Sequence, residues 1–236
     1  MRGIHASRLL VWAVAAATLA GCASGPKAEA PAGVSLAGTW KLDRAASDDP
    51  QKVIAKMRAQ AFKLIARRSV QVAGPVTRGA PAPLPPPDEG VLVPGDEARG
   101  THGHGPPPDP LRGSPMMHAL AQALARGDFL TVRQSAEEFV LDYGTSVRSF
   151  TPGVHSVVSA ERGVADQISG WSGRQYLIED KAQVGPNVVE RYALSRDGQH
   201  LIETLRIGPG ELPAVELKRV YDHTDEAAPH AVPSSD

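Results

Sequence analysis

Two hydrophobic periods run along this chain, and the switch between them divides it. From Pro50 to Arg68 the apolar residues Val53, Ile54, Met57, Ala61, Leu64 and Ile65 recur every three or four positions, the spacing of one helix face. Asp49 offers an N-cap oxygen, and Pro50 suits the first helical position because the N–H it lacks would have no partner there. The spacing predicts a helix over 50–68. Ser114-Pro115 repeats this start, Met117, Leu120, Ala121 and Leu124 form the stripe, and Gly127 ends it, which predicts a second helix over 115–126.

After Asp128 the period drops to two. Leu130/Val132, Phe139/Leu141/Tyr143, Val147, Ile168/Trp171, Tyr176/Ile178, Val188/Tyr192/Leu194, Leu201/Leu205/Ile207 and Val215/Leu217/Tyr221 alternate with polar neighbours. Turns fall at Ser172-Gly173, Gly185-Pro186-Asn187, Arg196-Asp197-Gly198 and Pro209-Gly210. Leu36 to Asp43 adds an earlier strand through Leu36, Gly38, Trp40 and Leu42. Connections this short leave no room for crossover helices, so the sheet must be antiparallel. The expectation is a mainly β protein: an antiparallel meander of eight or nine strands, curled into a barrel or half-barrel, with two helices in a long insertion after the first strand.

Composition refines the boundaries. Between Ala73 and Pro115 stand 12 Pro and 8 Gly, a stretch with too little apolar surface to offset its ordering entropy, so 73–114 is expected to stay extended and unpacked. Residues 22–35 read as a flexible tether, 36–223 as the β domain and 224–236 as a polar tail. The 236 residues carry 25 Lys and Arg against 26 Asp and Glu, and this near-neutral balance argues against a nucleic-acid partner. A single cysteine excludes an intramolecular disulfide or a multi-cysteine metal site.

The amino end carries a further signal. Arg2, His5 and Arg8 precede the apolar run Leu9 to Ala20, too short to span a bilayer as a helix. The run ends in Leu19-Ala20-Gly21-Cys22, which resembles the lipobox of bacterial lipoproteins. That resemblance implies a signal peptide over 1–21, cleavage before Cys22, and lipidation with a palmitate-type acyl group at the mature end. Ala23, where Asp would direct retention at the inner membrane, implies the periplasmic face of the outer membrane, with inner-membrane anchoring or the cell surface left open. The layout of strand, insertion and meander also resembles that of proteobacterial envelope lipoproteins, in arrangement alone.

Gly38-Thr39-Trp40 resembles the Gly-x-Trp of the first strand in lipocalin-like barrels. The resemblance implies a late-strand Arg packed over the Trp, with Arg219 as the match. If such a barrel holds an apolar ligand, Trp40, Trp171, Tyr176 and Tyr192 are its candidate lining, while a filled interior is the other outcome for eight strands. The first helix carries Lys52, Lys56, Arg58, Lys63, Arg67 and Arg68 with no acid from Gln51 to Arg68, a pattern suited either to anionic lipid headgroups or simply to water. His102 and His104 with Asp109 nearby make a poor metal site in a Gly/Pro-rich segment, and no metal is expected. No Gly-x-Ser-x-Gly, His-Glu-x-x-His or phosphate-loop pattern occurs, so no catalytic residues and no cofactor are assigned. The resulting expectation is a membrane-anchored, non-catalytic module that binds a lipid or other apolar envelope component, with a protein-contact or structural envelope module as the first alternative and an enzyme whose site is dispersed along the chain as the second.

Overall fold

The computed structural model describes residues 25–72, 108–160 and 163–226, excepting the side chains of 70–72. Residues 1–24, which hold the lipobox, His102 and His104, and the tail from 227 lie outside the described residues.

The alternating positions form ten strands in one antiparallel sheet. These are β1 Gly38–Asp43, β2 Phe129–Gln134, β3 Phe139–Asp142, β4 Val147–Phe150, β5 His155–Ala160, β6 Gly163–Ser172, β7 Gln175–Ala182, β8 Val188–Leu194, β9 His200–Ile207 and β10 Val215–His223. Their order is β4-β3-β2-β1-β10-β9-β8-β7-β6-β5, so every neighbouring pair except β1 with β10 is consecutive in the chain, and of these only β1 and β2 are joined by an insertion, the one that carries both helices. That last pairing (Trp40 opposite His223, Leu42 opposite Tyr221) curls the meander into a half-barrel and brings its two ends together. The edges are β4 and β5, which follow each other in sequence.

The sequence pattern accounts for nine of the ten. The additional one is β5, His-Ser-Val-Val-Ser-Ala, whose positions are mostly exposed on both faces. An edge strand that buries little carries no alternation to detect.

The helices are α1 (Pro50–Val72) and α2 (Pro115–Leu124), the first a turn longer and the second slightly shorter than their spacing predicts. Asp49 Oδ1 accepts from the Gln51 N–H at 2.9 Å, and Ser114 Oγ accepts from the Met117 N–H at 3.1 Å, satisfying donors that the first turns leave open.

One face of the sheet holds the two core clusters. Toward one end Trp40, Leu130, Phe139, Leu141, Trp171, Tyr176, Tyr192 and Tyr221 pack together. Toward the other, Met57 and Ala61 of α1 and Met116, Leu120 and Ala123 of α2 pack on Leu205, Ile207, Val215 and Leu217. The alternation sets both on the same face: Leu201 and Leu205 are four apart on β9, as are Leu217 and Tyr221 on β10.

Parts of two stretches expected to be loose are packed, the tether from Gly25 and the end of the insertion from 108, while 73–107 lie outside the described residues. The tether is laid against the sheet from Gly25 onward: Lys27 forms a β-bridge with Trp171, and Val34 and Leu36 are buried in the aromatic cluster. Apolar Val34 and Leu36 supply the burial that the surrounding Gly, Ala and Pro lack. In the insertion, Leu111 is buried under the helices and Asp109 pairs with Arg58 at 2.8 Å, so the chain is packed ahead of Ser114.

Candidate functional site

Between the two apolar clusters lies a belt of charge. Glu190 on β8, Glu203 on β9 and Arg219 on β10 occupy inward positions, where the alternation otherwise places Tyr192, Leu201 and Tyr221. Arg148 reaches in from β4, and Arg126 from just beyond the end of α2. Glu190 receives two bonds from Arg126 (2.7 and 2.8 Å), two from Arg148 (2.7 and 3.0 Å) and one from the Tyr192 hydroxyl (2.7 Å). Glu203 accepts from the Tyr221 hydroxyl at 2.8 Å and from Tyr192 and Arg126 at 3.3 Å each, and Arg219 stands 3.6 Å away. The Tyr143 hydroxyl meets that of Tyr192 at 3.0 Å.

Burial would push the Glu190 carboxyl up, but Arg126 and Arg148 outweigh it and hold it well below the usual carboxylate range. The tyrosines move the other way. Burial, followed by the charge of Glu203, pushes Tyr143 up to about 12 and raises Tyr221, and burial followed by the charges of Glu190 and Glu203 raises Tyr192. All three therefore stay neutral donors at physiological pH. Burial alone would lower the Arg126 and Arg219 guanidiniums, yet the neighbouring carboxylates and tyrosines raise both. Three guanidiniums against two carboxylates leave the belt one positive charge in excess.

The belt also joins the helices to the sheet. Arg219 donates to the Gly127 carbonyl at 2.6 Å and to the Ala123 carbonyl at 3.5 Å, at the C-terminal end of α2, and Arg126 extends from that end to both carboxylates. Cations there also complement the helix dipole.

Beside α2 a groove of roughly 150 Å³ opens on the same inward face. Val158 of β5, Ala165 of β6, Asp180 and Ala182 of β7 and Val188 of β8 line its floor, and Pro115, His118, Ala119 and Gln122 of α2 its wall. Asp180 is its acid, accepting from Gln167 Nε2 at 2.8 Å, and burial raises its pKa.

The four aromatic positions named from the sequence all point inward, and the structure brings them together as packing. Tyr176 stacks on Phe139 (centroids 3.7 Å, 13° between planes), Trp171 meets the edges of both, and the Tyr176 hydroxyl donates to Ser169 Oγ at 3.0 Å. Tyr192 gives its ring to this cluster and its hydroxyl to the belt. Trp40 Nε1 donates to the Leu36 carbonyl at 3.1 Å, and its ring lies edge-on to His223 at 5.4 Å. The lipocalin-like expectation for Arg219 needs correction: its guanidinium lies over Tyr221 at 5.3 Å, held by Glu203 and the end of α2, and His223 is the ring beside Trp40. On α1, Lys52, Lys56, Lys63, Arg67 and Arg68 are exposed, and Arg58 is paired with Asp109.

Sequence reasoning missed the belt, although a signal was present. Leu201-x-Glu203-x-Leu205 and Leu217-x-Arg219-x-Tyr221 each set a charge at an apolar beat of the alternation, and a charge on a buried face must find a partner.

No family model matches this chain, and no curated protein matches it in sequence. Among solved structures, lipid binding protein 8 of Caenorhabditis elegans is 11% identical, covering 82% of this chain and all of its own, with a TM-score of 0.42. The REP1-NXSQ fatty acid transporter is 13% identical over 81% of this chain and 97% of its own, with a TM-score of 0.40. The fatty acid-binding protein of Drosophila melanogaster brain is 24% identical over 40% of this chain and 70% of its own, with a TM-score of 0.30.

Proposed function

We propose that the chain is a lipid-anchored, non-catalytic module of the bacterial envelope, on the periplasmic face of the outer membrane, that binds a thin apolar ligand such as an acyl chain in the groove beside α2. One observation carries the binding: the groove floor is built from small apolar inward residues, Ala165, Ala182, Val158 and Val188, where the rest of that face is filled by large side chains. Its volume is below the range of about 300–1,000 Å³ that drug-sized ligands occupy, which selects a narrow ligand. The non-catalytic reading is supported by the belt, whose carboxylates are each committed to several donors. The anchor rests on Leu19-Ala20-Gly21-Cys22.

A fluorescent fatty-acid probe titrated into the mature protein tests the groove. Wild type is expected to enhance its emission saturably, and Ala182→Trp, which fills the floor, to weaken binding about tenfold, or about 1.4 kcal/mol. Equal binding by wild type and Ala182→Trp, or none by wild type, overturns the reading and favours a protein-contact module.

A further inference from the structure

Two surfaces compete to face a membrane. One is the cationic side of α1, where Phe62 and Ile65 are 42% and 54% exposed among the lysines and arginines. The other is the outer side of β5, where Val157 is 68% exposed, opposite Asp166 of β6. Composition favours the helix. The path of the chain favours the strand.

β5 begins its pairing with β6 at His155 opposite Ile168, the Gly153 N–H still bonds the Ser169 carbonyl at 2.7 Å, and the edge of β6 then opens at Trp171. Lys27 takes that edge, exchanging backbone hydrogen bonds with Trp171 at 2.8 and 2.7 Å. The approach is close enough that a Cβ on Gly170 would stand 2.6 Å from the Lys27 carbonyl oxygen and 3.0 Å from Pro26 Cβ, so only glycine fits there. Gly25 lies over the Ile168 side chain, which shares the outer face with His155 and Val157, and Ala28 rests against Gly153, next to Val154. The amino-terminal segment is therefore fixed to the sheet edge at this corner.

Only three peptide steps separate Gly25 from Cys22. Fully extended, they reach about 10 Å. α1 packs on β10, four strands away around the sheet. From these constraints we infer that the lipid on Cys22 holds the outer side of the β5–β6 corner against the bilayer, with Val157 entering the headgroup region and Lys27 beside the lipid phosphates. The proposal rests on the lipobox reading. It fixes the orientation of the module, with the α1 cations turned toward other partners or water.

The test uses the mature, lipidated full-length protein in vesicles of phosphatidylethanolamine and phosphatidylglycerol. Val157→Cys and, separately, Lys63→Cys are labelled with an environment-sensitive fluorophore, and headgroup-borne nitroxide lipids serve as quencher. Both sites are exposed, so neither change threatens the fold. The label at 157 is expected to lose about half its emission or more and the label at 63 little, since a group about 5–10 Å into the interface lies among the quenchers. A long Gly/Ser spacer inserted between Ser24 and Gly25 should abolish the difference. Quenching at 63 in place of 157, quenching at neither, or indifference to the spacer overturns the orientation. Intact mass of the same sample separates the two premises: an unmodified Cys22 sinks the anchor and the orientation together, whereas lipid on Cys22 without quenching at 157 sinks the orientation alone.

Discussion

The two ends of the inward face are closed by different means. The aromatic end is sealed by the sheet's own residues, with Phe139, Trp171 and Tyr176 locked ring against ring and Val34 and Leu36 laid beside them from the amino-terminal segment. The other end is sealed by an insertion, α1 and α2, which reach the sheet through a smaller aliphatic cluster and through Arg126 and Arg219. Covalent neighbours and ladder hydrogen bonds hold the first closure. Side chains hold most of the second, with one backbone bond from the Asp48 N–H to the Lys218 carbonyl at 2.9 Å. Local opening follows such differences, so the groove beside α2 lies where the molecule yields most readily.

The strongest way to break this arrangement is at the belt. Glu190→Gln leaves Arg126 and Arg148 buried without their shared counter-charge, and breaking a buried pair in this way costs about 3–5 kcal/mol. Denaturant unfolding at neutral pH checks it, with a loss below about 1 kcal/mol counting against the belt as the clasp between the ends. The pH dependence has a definite sign. Because the folded-state pKa of Glu190 is depressed, its stabilisation is complete above the ordinary carboxylate value of about 4.3 and is lost as pH falls through the lower folded value. The gap between wild type and Glu190→Gln should therefore be flat from neutral pH down to about 5 and close only in stronger acid.

A second substitution separates the two closures. Leu120 is fully buried between α2 and the sheet, and Leu120→Ala should cost about 2–5 kcal/mol, less if the helices settle into the space. Hydrogen exchange reads where the loss falls. The α2 amides are expected to exchange faster by local opening while those of β7 and β8 keep their protection. A uniform loss across the sheet would show that the ends open as one unit.

What could be read from the sequence follows the same division. The alternation exposed the strands because one face is buried and the other wet, and the helix caps were visible because Asp49-Pro50 and Ser114-Pro115 solve a local problem of orphan N–H groups. β5 was silent because an edge strand buries too little to alternate. The period placed Trp40, Trp171, Tyr176 and Tyr192 on strands but left open which face is inward, and their mutual stacking was hidden as well, because Phe139 meets Tyr176 only through the curl that joins β1 to β10. The belt needed the same long-range register. Arg126, Arg148 and Glu190 come from three parts of the chain with no common period, and only the helix–sheet contact and the closure of the half-barrel unite them.

The smallest expected effect lies at Asp180 in the groove. Burial raises its folded-state pKa, with the Gln167 amide partly opposing. A carboxyl that is harder to ionise when folded destabilises the fold once pH exceeds its unfolded value of about 3.9, and this cost persists at neutral pH. Asp180→Asn keeps an oxygen to accept from Gln167 Nε2 and removes the charge, so it should raise the melting midpoint by about 2 °C at neutral pH and leave it unchanged below about pH 3.5. A charge that weakens the otherwise apolar floor of this groove is best explained by what enters it. If Asn at 180 leaves the groove's grip on a fatty-acid probe intact while stabilising the chain, Asp180 is only a tolerated flaw. If the probe's affinity shifts as well, the acid faces the ligand, and the stability it costs is tied to recognition.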